Sequence, residues 1–426
     1  MSANPVQNAE KVARLLRQQN RYPYVNVIES AISSIVKTED RRKVNFLSNS
    51  FLGLCNHPRI IKAMKKGLDK FGSGAGSSRL VCTQRPHIDL EREIAKFKGR
   101  ESAIVFSTGM LANLGTIPAL ASSPMYHLLR QIDTDLAKTL FPPVSLFIDK
   151  LNHACIYDGA ALAEHNLWGG IPANVYRYAH RDVNDLNAKL EADIQASKSK
   201  GVDRSRIIIT DGVFSIHGRL APLDQIVNLA KQFNAAVYVD DAHGTGVLGA
   251  TGRGTAELFQ VDNQIDVPMG TLSKALGSAG GYVAGSHDFC DYLRAAARTY
   301  MFQTAMSPSN AMGLIEAIRI VDDEPERRIA VLKNGSMARQ AITSIGLSTL
   351  DSEHHIVPVL IGDELVANEI ACGLSGDGVL VGCIMYPAVP QGEAILRCNM
   401  MTTHTDNDID LLIQSLEKRC RKHGII

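Results

Sequence analysis

The stretch SRIIITDGVFSIHGRLAPLDQIVNLAKQFNAAVYVDDAHGTG (205–246) decides the fold class. It opens on SRIIIT (205–210) and closes on AAVYVD (235–240), two short runs of β-branched and apolar residues. Strands buried on both faces read as continuous apolar runs of this kind. Between them LDQIVNLAKQF (223–233) repeats apolar residues at three- and four-residue spacing, which marks an amphipathic helix. Strand, helix and strand in succession predict a parallel pair joined by a crossover helix.

The same texture extends outward. SAIVFST (102–108), VSLFID (144–149), VPMG (267–270) and GGYVAG (280–285) read as further strands, and LEREIAKF (90–97) as a helix. The fold class expected is α/β: a mostly parallel sheet, helices on both faces, in a large domain over 46–307. Residues 1–45, as in NAEKVARLLRQQNRY, are polar and helix-prone and read as an N-terminal arm. Beyond 308, one long helical stretch precedes HHIVPVLIG, GVLVGCIM and AILRCNMM, which predicts a smaller α+β C-terminal domain over 308–426. SPMYHLLRQIDTDLAKTLFPPV (123–144) is polar and helix-like between two core elements, and reads as an insertion.

Composition narrows the class of partner. A net charge of +1 supplies no field for nucleic acid or anionic membrane. No apolar run approaches the roughly 20 residues of a membrane helix, and no signal-peptide core is evident. The eight cysteines form no CxxC pair, so neither a zinc knuckle nor a disulfide framework is implied. A reducing compartment is expected, hence the cytoplasm.

In open parallel sheets, ligands bind beyond the C-terminal ends of the strands, so polar residues there carry the chemistry. Asp240 ends AAVYVD, followed by Asp241 and His243. A carboxylate there is a turn residue, the partner of a cationic heterocycle, or, with Asp241 and His243, a metal ligand. STGMLANLG (107–115) follows a strand and opens a helix, whose N-terminal amides at Gly109 and Met110 suit a phosphate. His153 lies just past VSLFID in LNHACIYDG. Lys274 sits among small residues in GTLSKALGSAGGYVAG (270–285), where burial would make it a usable nucleophile and Thr271 could bind a phosphate oxygen. A phosphate site, an Asp for a pyridinium nitrogen, a His able to stack and a Schiff-base Lys together describe a pyridoxal 5'-phosphate (PLP) site.

These stretches, with NFLSNSFLGLCNHP (45–58), FGSGAGSSRL, DGVFSIHGRLAPL and PAVPQGEAILRCNMMTTHTDNDID (387–410), resemble the α-oxoamine synthases, fold-type I PLP-dependent transferases. The resemblance covers nearly the whole chain. It implies that Lys274 forms the internal aldimine and moves the α-proton. Asp240 would pair with the pyridinium nitrogen, His153 would stack on the ring, and His243 and Ser215 would contact its phenolic oxygen. Gly109, Met110 and Thr271 would hold the phosphate. Thr304, in YMFQTAMSP, would reach the phosphate of the neighbouring subunit of a homodimer. Asn49 and Arg397 would hold the amino-acid carboxylate. The reaction implied is decarboxylative condensation of a small amino acid with an acyl-CoA, giving an α-amino ketone, CoA and carbon dioxide. An aldolase or aminotransferase on the same fold is the alternative, and no metal is expected. Met110, His217 and Gln303, the loop SRLVCTQRPH and the 123–144 segment depart from the family pattern.

Overall fold

A computed structural model describes residues 4–19 and 26–426. Of the N-terminal arm expected over 1–45, residues 1–3 and 20–25 lie outside the described residues. The chain forms two compact units: residues 49–333, and residues 1–48 together with 334–426.

The larger unit is built on a seven-stranded sheet. Its strands are β1 (Ser102–Phe106), β2 (Val144–Asp149), β3 (Asn174–Tyr178), β4 (Ser205–Asp211), β5 (Ala235–Asp240), β6 (Val267–Thr271) and β7 (Gly281–Gly285). They lie in the order β1-β7-β6-β5-β4-β2-β3, and only β7 runs against its neighbours. The side-chain period of a strand is two, and each face of this sheet has its own core. Leu146, Ile148, Ile207, Ile209 and Tyr238 pack on one side. Phe147, Ile208, Val237 and Val239, their neighbours in sequence, pack on the other. The helix Leu223–Gln232 seals the second face with Leu223, Ile226, Val227 and Ala230. The helix Gly109–Ala121 lies in the first core with little polar surface; Thr108 caps it, accepting from the Leu111 N–H at 3.1 Å. Residues 123–144 form two short helices, Met125–Ile132 and Thr134–Leu140, the second capped by Asp133.

The smaller unit is α+β. One sheet pairs Ile356–Gly362, Ala394–Asn399 and Gly382–Ile384 antiparallel. The other joins the N-terminal strands Ile35–Lys37 and Arg42–Asn45 to Val379–Leu380. Helices Pro5–Gln18, Glu364–Asp377 and Asp406–Lys422 also belong to it, the last opened by a capping box from Thr405 and Asp408. Among the described residues, no helix is long and apolar enough to cross a membrane.

Candidate active site

Parallel strands deliver their C-terminal residues to one edge of the sheet. Asp149, Asp211, Asp240 and Thr271 end β2, β4, β5 and β6 there. Gly281 starts β7 at the same edge, paired with Phe106 at the end of β1. The sequence-expected residues His153, Ser215, His243, Lys274 and Gly109 all follow directly from these strand ends.

Lys274 Nζ lies 2.6 Å from His243 Nε2. His243 is buried, its ring against Phe51 at 5.8 Å and 44°. Lys274 itself is half-buried, less enclosed than the sequence suggested. The loop that carries it turns at Gly277, φ +70°, where a side chain would strike the Cys55 backbone nitrogen at 2.7 Å.

The carboxylates differ in their partners. Asp240 Oδ2 accepts from Asn113 Nδ2 at 2.6 Å, and Oδ1 accepts from the Ala242 N–H at 3.0 Å. Asp241 turns away to Thr255, whose hydroxyl and N–H donate at 2.8 and 3.1 Å, and to Lys98 Nζ at 3.8 Å. Burial pushes Asp241 up to about 6, against the pull of Lys98. The Asp240–Asp241–His243 metal set therefore does not gather, and no such cluster is found among the described residues. Asp211 is held well above the usual carboxylate range by burial and by neighbouring Asp240. It accepts from the His153 N–H at 2.8 Å, and Asn152 Oδ1 accepts from the Asp211 N–H at 3.0 Å. This pair sets the turn that presents His153. Desolvation lowers the His153 pKa, Lys274 adds to that, and Asp240 opposes it.

The donor set fits PLP. The helix Gly109–Ala121 aims its first amides past Thr271, whose Oγ1 lies 2.8 Å from Ser273 Oγ and donates to Gly280 O at 2.9 Å. A Cβ on Gly281 would meet Gly109 Cα at 2.6 Å, so two glycines bring this helix end against β7. Amides and hydroxyls suit a phosphate, Asp240 suits a ring N–H, and the amine of Lys274 suits an aldehyde.

Met110 is 50% exposed. Thr304 is exposed and its carbonyl accepts from Ser107 Oγ at 2.9 Å, which places it beside the turn before Gly109 of its own chain. Asn49 is half-buried at the start of the larger unit. Arg397 belongs to the smaller unit, on the strand Ala394–Asn399 opposite Pro358 and Gly382, and desolvation lowers it to about 10. A cavity of about 740 Å³ between the helices Pro58–Phe71, Arg85–Lys98 and Pro308–Asp323 contains none of these residues. Size alone does not locate the chemistry.

Sequence reasoning missed Asn113, Tyr238, Cys155 and Asp211. Asn113 left a signal: it is the one amide in the apolar helix GMLANLGTIPALA. Asp211 was lost by ending the strand at Thr210.

Residues 41–416 match the family model described as aminotransferase class I and II. The 8-amino-7-oxononanoate synthase of Citrifermentans bemidjiense is 38% identical over 414 residues, spanning 96% of this chain and 97% of its own. That of Coprothermobacter proteolyticus is 34% identical over 99% of both chains. A serine palmitoyltransferase from S. paucimobilis, solved with a bound PLP–myriocin aldimine, superposes with a TM-score of 0.87 at 28% identity, over 100% of both chains. An 8-amino-7-oxononanoate synthase from Francisella tularensis gives 0.71 at 25% identity, over 90% of this chain and 99% of that one. The chain belongs to the aminotransferase class I and II family, in its α-oxoamine synthase branch.

Proposed function

We propose that this edge of the sheet catalyses the PLP-dependent decarboxylative condensation of a small amino acid with an acyl thioester. The products are an α-amino ketone, the free thiol and carbon dioxide. The observation that carries the reading is the contact of Lys274 Nζ with His243 Nε2, beside Asp240 and the helix N-terminus at Gly109.

Bound there, PLP supplies an electron sink for the carbanion formed at the amino-acid Cα. Asp240 would hold the ring N–H and keep the ring electron-poor. Gly109, Met110 and Thr271 would take the phosphate. His153 would stack on the ring. His243, at 2.6 Å, holds the Lys274 amine in place and exchanges a proton with it at Nζ, so that Lys274 removes the α-proton. Ser215 would assist at the phenolic oxygen. The family resemblance assigns the amino-acid carboxylate to Arg397 and to Asn49; a planar guanidinium would bind a carboxylate through two parallel hydrogen bonds.

The acyl donor is a CoA thioester in this reading, and the enzyme works in the cytoplasm. The working unit is a homodimer, supported by the exposed Thr304 and by Phe302, 71% exposed two residues before it. Free thiol should appear when the holoenzyme meets glycine, alanine or serine together with acyl-CoAs of varied chain length, followed with a thiol reagent. Amino-group transfer to an oxo acid, without thiol release from any donor, would instead support an aminotransferase.

A further inference from the structure

We propose that Asn113 is a positioning residue that orders the wall of the site from Asp240 to His153, fixing the tautomer of His153 through the thiol of Cys155. The inference rests on reading this sheet edge as the PLP site.

Four contacts form one continuous chain. Tyr238 OH lies 2.7 Å from Asn113 Oδ1. Asn113 Nδ2 lies 2.6 Å from Asp240 Oδ2 and 3.0 Å from Cys155 Sγ. Cys155 Sγ lies 2.8 Å from His153 Nδ1. Asn113 and Tyr238 are fully buried, and Cys155 is 3% exposed. Water does not compete for the bonds among Tyr238, Asn113, Asp240 and Cys155, whereas His153, at the end of the chain, is exposed.

One group sets the polarity of the whole chain. A carboxylate only accepts, so Asn113 presents an N–H to Asp240. That assigns Nδ2 to the Asp240 side and leaves Oδ1 facing Tyr238, which must then donate its O–H. The second Nδ2 hydrogen is directed at Cys155 Sγ. The sulfur accepts there, and its own hydrogen is free to donate to His153 Nδ1. The Cys155 backbone N–H points at the same ring nitrogen at 3.3 Å, where it caps the helix Ala154–Glu164. A nitrogen that receives two donors carries no proton, so His153 is held as the Nε2–H tautomer.

The protonation states agree with this order. Burial, reinforced by Asp240, pushes the Cys155 thiol up to about 12, and the Tyr238 phenol is also raised. Burial lowers His153. Near neutral pH, Tyr238 and Cys155 keep their hydrogens and His153 stays neutral. Asn113 thus ties together the two groups that would clamp the PLP ring, one at its edge and one on its face.

The test uses the holoenzyme with ¹⁵N-labelled histidine, the His153 signals being assigned by difference against His153→Gln. In the wild type, Nδ1 should resonate as an unprotonated and Nε2 as a protonated ring nitrogen. Cys155→Ser, which keeps an O–H donor, should retain that pattern, and Cys155→Ala should mix the tautomers. Asn113→Leu should weaken PLP affinity by tenfold or more, the size expected for losing a hydrogen bond to a charged group, and should shift the pH at which the bound cofactor's visible absorbance titrates. A proton on Nδ1 in the wild type would overturn the proposal. So would Cys155→Ala and Asn113→Leu proteins that match the wild type in tautomer, affinity and titration. Mapping the PLP-bearing lysine separates the two readings: PLP on a lysine other than Lys274 would sink the site itself. PLP on Lys274 with His153 protonated at Nδ1 would sink only the relay.

Discussion

Two buried carboxylates serve opposite edges of the same sheet, and they are held in different ways. Asp193, on the helix Val183–Lys200, is fully buried near the strand starts. It receives Arg206 Nε at 2.8 Å, Arg204 Nη1 at 3.3 Å, Ser145 Oγ at 2.7 Å and Tyr176 OH at 3.2 Å. Asp240, at the strand ends, receives one side-chain amide and one backbone N–H. Asp193 has its charge balanced by guanidinium groups within the fold. Asp240 is held by dipoles, and under the proposed function its charge would face a cation that a ligand brings. Internal balance serves stability, and a charge oriented by dipoles at a strand end serves chemistry.

The largest effect should come from the reactive edge itself. Lys274→Ala should lower turnover by about a thousandfold or more while leaving the melting transition nearly unchanged. Steady-state kinetics and thermal melts together check this. Asp240→Asn should cost on the order of a hundredfold in turnover, with the fold intact, because the ring loses its charged partner.

Asp193→Asn should give the reverse pattern. It leaves two buried guanidinium groups short of a partner and should destabilise the protein by about 3–5 kcal/mol in denaturant titration. Turnover per folded molecule should stay near wild type. If the Asp193 variant lost activity while remaining folded, the distinction between the two edges would break.

Smaller effects follow pH. Burial lowers His354 to about 3 and His217 and His404 to about 4. Their folded values lie below the unfolded value near 6.5, so the unfolded chain takes up protons first as the pH falls. The stability they contribute is present above about 6.5 and is lost on acidification toward 4. His354→Leu should flatten that slope in melts between pH 4 and 7; an unchanged slope would remove His354 from the account. Smallest of all, Asp377 is bound by Arg419 at 2.6 and 2.7 Å and by Lys418 at 3.0 Å, which lowers it to about 2. Asp377→Asn should cost no more than about 1 kcal/mol at neutral pH, with the difference vanishing as the pH falls from 3.8 through 2.

Six of the seven strands were legible because they are largely buried and read as unbroken apolar runs, whereas the half-buried edge strand Asn174–Tyr178, with its Arg177, was not. Once those runs were aligned in parallel, Gly109, His153, Asp240, Thr271 and Lys274 had to meet at one edge. The Asn113 relay was not legible, because a single Asn in an apolar helix does not name its partners: Tyr238, Asp240 and Cys155 come from other elements. The pairing of Arg42–Asn45 with Val379–Leu380 was equally hidden. It joins segments far apart in sequence, and no local pattern encodes such a contact. Asp193 shows the limit from the other side. In the helix sequence VNDLNAKLEADIQASKSK it reads as one more solvated charge, and only the approach of Arg204 and Arg206 makes it a buried one.

The most direct measurement is to reduce the PLP-loaded protein with borohydride, digest it and locate the pyridoxyl group by mass spectrometry. The account predicts a single labelled peptide carrying it on Lys274. A label on another lysine, or none after loading with PLP, would contradict it.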